Sequence, residues 1–150
     1  MGRVLITGCS TGIGRATAVE LTARGHEVVA TARRIEADGR EIDVPLENNA
    51  GWEAGGPIER VPLERVRAMF ETNVFGVARM VQAVAPQLRA KGAGTIVNVS
   101  SMAGRVAAPL NAYYSASKFA VEALSESLHY ELGHFGVRVV IVEPGNIATN

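Results

Sequence analysis

Arg3-Val4-Leu5-Ile6-Thr7-Gly8-Cys9-Ser10-Thr11-Gly12-Ile13-Gly14 is the stretch on which the reading of the chain turns. Its first half, Arg3 to Thr7, is a short apolar run stopped by Gly8, the pattern of a buried strand. Gly8, Gly12 and Gly14 let the backbone turn sharply and come close to a pyrophosphate. From Gly14 to Arg24 the apolar residues Ala16, Val19, Leu21 and Ala23 fall at helical spacing, and Gly25 stops the helix. Glu27 to Thr31 then reads as a second strand around Val28 and Val29. Strand, glycine turn, helix and strand in this order imply a right-handed parallel crossover. A helix that starts on such a turn offers free N–H groups and a positive dipole end to an anion.

Working outward, Ile35 to Arg40 is polar and reads as a turn or a single helical turn. Glu41 to Val44 reads as a third strand that Pro45 prevents from continuing. Glu53 to Pro62, rich in Gly and Pro, is a loop. Val66, Met69, Phe70, Val74, Val77, Val81 and Val84 recur at threes and fours, which predicts a helix over 63–89 with a kink near Pro86. Thr95 to Val99 is a strand, Met102 to Asn111 a small-residue loop, Tyr113 to Leu132 a long amphipathic helix and Val137 to Val142 a last strand. Apolar strands alternating with helices describe the α/β class. The expected architecture is a Rossmann-type doubly wound parallel sheet of about five strands, with helices on both faces.

The chain has 150 residues, enough for one domain, and residues 1–150 are read as that single domain. Fifteen basic and fifteen acidic residues cancel, so nothing in the charge supports a nucleic-acid or anionic-membrane partner. Cys9 is the single cysteine, which excludes an intrachain disulfide; with no leader pattern ahead of Val4 and no membrane-length apolar stretch, the expected location is cytoplasmic. No zinc-like spacing and no internal repeat occur, so no metal is expected.

Three clusters carry chemistry. The glycine loop, with Gly8, Ser10, Thr11, Gly12, Ile13 and Gly14, is read as the phosphate cradle of a dinucleotide. After the second strand comes Thr31-Ala32-Arg33-Arg34, with no acid before Glu36 to accept from a ribose 2′-hydroxyl. Arg33 is therefore read as a ligand of a 2′-phosphate, and NADP(H) is preferred over NAD(H). Third, Tyr114 and Lys118 lie four apart, on one helix face. An ammonium beside a phenol is expected to lower the tyrosine pKa from about 10, so that Tyr114 passes a proton to or from a carbinol oxygen. Tyr113, five positions from Lys118, points elsewhere. Glu122, Glu126 and Glu131 read as the wet face of this helix, His26, His129 and His134 as solvent-facing, and Trp52 as either a substrate contact or surface packing.

With Asn48-Asn49-Ala50-Gly51, Asn73, Ser100-Ser101 and Pro144-Gly145-x-x-x-Thr149, these pieces resemble, in order, the motifs of the short-chain dehydrogenase/reductase family. The wording around Thr7–Gly14 and Glu143–Thr149 is similar to its steroid- and retinol-dehydrogenase-like branch. The resemblance implies hydride transfer between a nicotinamide nucleotide and a small-molecule carbonyl/alcohol substrate. It makes Tyr114 the acid/base and gives Lys118 the nicotinamide ribose. It assigns the substrate oxygen to Ser101, thirteen positions before Tyr114, with Ser100 the competing choice; Asn73 would hold the helix backbone and a water. It places Asp43 at adenine, Asn49, Ala50 and Gly51 along the adenosine, and Pro144, Gly145, Ile147 and Thr149 against the nicotinamide. It also implies a homo-oligomer through the helices 63–89 and 113–132.

The chain departs from the family in two places. Only thirteen residues separate Arg34 from Asn48, where the family fits two helices and two strands. Either one segment serves as the strand beside the first, or that slot is poorly filled. The sequence also stops just after Thr149, ahead of the family's substrate-covering region. The alternative to an active enzyme is thus a noncatalytic, shortened domain that binds nucleotide weakly or acts through association.

Overall fold

In the computed structural model, residues 3–10, 12–31 and 46–145 are described. Five strands, Arg3–Ile6 (β1), Glu27–Ala30 (β2), Leu46–Asn48 (β3), Gly94–Val99 (β4) and Val137–Val142 (β5), form one sheet. All pairings are parallel, and the order is β2-β1-β3-β4-β5. The helices are Gly12–Ala23 (α1), Leu63–Phe70 (α2), Gly76–Lys91 (α3) and Ala112–Gly133 (α4). This is the expected Rossmann-type doubly wound architecture. The chain runs from β1 outward to β2 and then crosses back to β3 on the other side of β1. Strand order therefore reverses between β1 and β3, which opens a crevice at their carboxyl ends.

The slot between β1 and β4 is filled, and the segment that fills it is β3, following Pro45 rather than preceding it. The run Glu41–Val44, read as a third strand, lies outside the described residues. The strand is minimal: Leu46 and Glu47 pair with Leu5 and Ile6, while Leu46 to Asn48 pair with Ile96 to Asn98. Buried side chains reinforce it. Asn48 Nδ2 donates to Asn98 Oδ1 (2.8 Å), Asn98 Nδ2 donates to Ser125 Oγ (2.8 Å), and Ser125 Oγ donates to the Val121 carbonyl (2.6 Å). A three-residue strand has few ladder bonds, and this polar spine to α4 specifies its register.

The main core joins Leu5 of β1, Ile96 of β4 and Val137 of β5 to Val77, Val81, Val84 and Leu88 of α3 and to Val121 and Leu132 of α4. The α3 residues recur at fours and threes, the stripe that the sequence pattern required. Two details differ from expectation. Helix α3 continues through Pro86 to Lys91 and stops at Gly92, whose φ of 68° is left-handed. The irregularity lies earlier, in a π turn over Glu71–Phe75 between α2 and α3. His26 is half-buried rather than solvent-facing, whereas His129 and His134 are exposed. Among the described residues no helix is long and apolar enough to cross a membrane.

Candidate active site

The carboxyl ends of β1 and β3 are laced together by side chains. Thr7 Oγ1 accepts from the backbone N–H of Asn49 (2.9 Å) and of Ala50 (3.1 Å), and Asn49 Nδ2 donates to the Gly8 carbonyl (3.2 Å). Space explains the glycines. A Cβ on Gly8, whose φ is +70°, would stand 2.7 Å from the Ala50 Cα. A Cβ on Gly14 would collide with the Asn49 amide and sit 2.7 Å from the Gly8 carbonyl oxygen. Helix α1 begins at Gly12 with no acidic residue in its first turn, so its positive end is uncompensated. This loop is built to receive an anion.

On the far side of the crevice, β4 ends at Val99 and leads through Ser100 and Ser101 into a short 3₁₀ turn, Met102–Gly104. Ser101 caps that turn, its Oγ accepting from the Ala103 N–H (3.1 Å). Ser100, the competing choice, is buried beneath Gly104, and its hydroxyl has no hydrogen-bond partner among the described residues. Tyr114 and Lys118 stand on the first two turns of α4. Lys118 is buried, Nζ donates to the Val99 carbonyl (2.9 Å) and lies 5.8 Å from the centre of the Tyr114 ring.

Asn73 sits in the π turn and is 1% exposed. Its Oδ1 accepts from the Trp52 N–H (3.0 Å), and its Nδ2 donates to the Trp52 carbonyl (2.9 Å) and to Ser117 Oγ (3.1 Å). Its side chain thus holds the backbone of the loop after Gly51, and holds it to α4. The π turn leaves one residue out of helical register, a feature that recurs at functional sites.

Burial raises the Tyr114 pKa above its usual 10, a hydrogen bond with Ser101 opposes that, and the charge of Glu53 adds to it. The expectation that Lys118 draws the phenol below 10 is therefore corrected. The ammonium is engaged with Val99, and desolvation of the ring dominates. Burial also pushes Lys118 down, to about 8, with Glu122 working against the drop.

A cavity of about 510 Å³ runs between the two clusters. From one side Gly8, Ser10, Gly12 and Ile13 line it; Asn49, Ala50 and Gly51 form its wall; Ser101, Tyr114, Lys118, Pro144 and Gly145 close the other side. Gly14 and Asn73 stand behind the wall and shape it. Thr11, Arg33, Asp43, Ile147 and Thr149 lie outside the described residues. Trp52, one of whose two readings was a substrate contact, and Ser100, the competing choice to Ser101, also line the cavity; Thr7, Thr31, Glu53, Thr72 and Val99 line it too and were not among the expected site residues, although Thr7 adjoins a motif that was. The glycine-held approach to a helix start on one side of the cavity and a buried ammonium on the other fit a nicotinamide dinucleotide.

Comparison with known proteins agrees with this geometry. The family model for short chain dehydrogenase matches residues 3–44 and 31–150. The chain is 38% identical over 174 aligned positions to 3-ketodihydrosphingosine reductase of Bacteroides thetaiotaomicron, covering 97% of this chain and 64% of that protein. A solved short-chain dehydrogenase from Streptomyces avermitilis superposes with a TM-score of 0.94 at 37% identity, over all of this chain and 68% of that one. A short chain dehydrogenase from Burkholderia cenocepacia, solved with NADP, matches at 32% identity with a TM-score of 0.88, over 99% of this chain and 74% of that one.

The chain belongs to the short-chain dehydrogenase family, a family of oxidoreductases. It spans slightly less than two thirds of the length of the Bacteroides reductase. That alignment uses more positions than the chain has residues, and the family model matches in two pieces that overlap between 31 and 44. The overlap falls in the short stretch before Asn48, and the extra aligned positions show that the Bacteroides reductase carries more residues across the matched region than this chain does.

Proposed function

We propose that the chain binds NADP(H) in this cavity and, as a cytoplasmic reductase or dehydrogenase, interconverts a carbonyl and an alcohol, with Tyr114 as acid/base. The observation that carries this reading is the convergence of Ser101, Tyr114 and Lys118 on the cavity that the glycine loop opens. The nucleotide, when bound, supplies or takes up the hydride. In the reducing direction Tyr114 donates its phenolic proton to the carbonyl oxygen. Its raised pKa favours the protonated phenol at neutral pH, the form needed to donate. Ser101, which lines the cavity beside Tyr114, would hold the same oxygen, while Lys118 would hold the nicotinamide ribose and present a positive charge to the forming phenolate. Asn49, Ala50 and Gly51 would flank the adenosine half, and Pro144, Gly145, Ile147 and Thr149 the nicotinamide half.

Arg33 supports the preference for NADP(H), since no acid stands between β2 and Glu36. Exposed Leu63, Phe75 and Phe119 on the segments 63–89 and 113–132 support pairing of two copies through those helices. Titration with NADPH followed by a carbonyl-reduction assay tests the function. Saturable binding with turnover is expected; saturable binding with no turnover across a broad ketone panel would leave the noncatalytic alternative standing.

A further inference from the structure

Glu122 lies on α4, one turn beyond Lys118 and on the same face. The sequence pattern put it on a wet face, yet it is 8% exposed. Neither carboxylate oxygen has a hydrogen-bond partner among the described residues, and what Oε2 does have is an ion pair, at 3.2 Å, with Arg105 Nη2. Gly104 closes over the carboxylate: a Cβ there would stand 3.1 Å from Glu122 Cγ and Oε1. A buried carboxylate this poorly hydrogen-bonded is costly unless its charge is used. Arg105 in turn donates through Nε (3.0 Å) and Nη2 (2.8 Å) to Glu143, the residue before Pro144. Arg105 therefore fastens the Ser101 turn, the helix carrying Tyr114 and Lys118, and the end of β5 at one point.

We propose that Glu122, tied to Arg105, is a positioning residue that holds Lys118 as an ammonium against the Val99 carbonyl. The inference rests on the proposed use of Lys118 in the reaction. Among the described residues the groups around Lys118 are few. On its own helix these are Tyr114 and Glu122; from β4 the Val99 carbonyl; from the loop beyond β3, Gly51, with Glu53 acting on Tyr114; from the π turn, Asn73; and from the Ser101 turn, Arg105, whose charge is shared with Glu143. Glu122 is the carboxylate among them that works directly against the desolvation of the ammonium. Without it, the burial that disfavours the ammonium would act unopposed, and the charge at the end of the cavity would be held less firmly.

The chain has two lysines, Lys91 and Lys118, so NMR of ¹³C-lysine-labelled protein gives two side-chain signals, assigned with Lys91→Arg. Expected for the wild type is a Lys118 midpoint near 8. Glu122→Gln should move that midpoint acid-ward by a few tenths of a unit or more, with Lys91 unmoved, and Glu122→Asp should restore most of it. If Glu122→Gln loses its fold, Glu122→Met, which removes the same single charge and fills similar space, should move the midpoint the same way. An unchanged or alkaline-shifted midpoint in the folded variant overturns the proposal. The titration needs no turnover, so an acid-ward shift in a chain that reduces no carbonyl supports the Glu122–Lys118 coupling while refuting the proposed reaction.

Discussion

Removing the Asn73 side chain should loosen the cavity wall before it unfolds the domain. The amide makes three hydrogen bonds from a fully enclosed position, two to the Trp52 backbone and one to Ser117. At about 1 kcal/mol net for each, Asn73→Ala should cost about 3 kcal/mol. For a domain of this size that corresponds to a fall in Tm of roughly 6–12 °C. Trp52 is the single tryptophan, so its emission reports on the affected loop without interference. The released indole, now wetter, should shift to longer wavelength at temperatures where the far-ultraviolet circular dichroism is still native. Nucleotide affinity should fall as well, because Gly51 packs directly on the Asn73 amide oxygen (3.3 Å from an ideal Cβ). An unshifted Trp52 emission together with a Tm within about a degree of wild type would refute the claim that Asn73 holds this loop.

Arg33→Asp should move the preference from NADPH toward NADH, read as the ratio of the two dissociation constants; an unchanged ratio rejects the 2′-phosphate role. Lys118 is depressed from 10.5 to about 8 in the folded chain, so the unfolded chain binds the extra proton between those values and stability rises with pH there. In urea titrations the advantage of wild type over Lys118→Met should be greatest above pH 10.5, shrink as pH falls through that window and be lost below about 8. A flat difference would contradict the depressed ammonium. Sedimentation should show a dimer that Phe75→Glu and Phe119→Glu weaken, whereas monomer alone at high concentration would remove the helix pairing.

What was legible in the sequence was local. The glycine loop can be read because turn, helix start and phosphate approach all fall within Thr7–Gly14. Tyr114 and Lys118 can be read because one helical turn fixes their face. β3 could not be read in the same way. Glu41–Val44, with Ile42 and Val44 alternating with acids, is the longer strand-like run, whereas Leu46–Asn48 owes its place to pairing with two distant strands and to the Asn98 and Ser125 side chains. Glu122 looks like any polar helix residue until Arg105 and Gly104, from another segment, close over it. Nothing local announces the π turn either, although it aims Asn73 at Trp52. The Tyr114 pKa could not be read from spacing, because burial of the ring outweighs what a lysine four residues away suggests.

The central claim is that Tyr114 moves the proton, and comparing Tyr114→Phe with wild type tests it most directly. NADPH oxidation with a reducible ketone and NADPH affinity should be measured in both proteins. The account predicts a loss of turnover of roughly 10²–10⁴-fold with nucleotide affinity little changed. Turnover retained in Tyr114→Phe would contradict it.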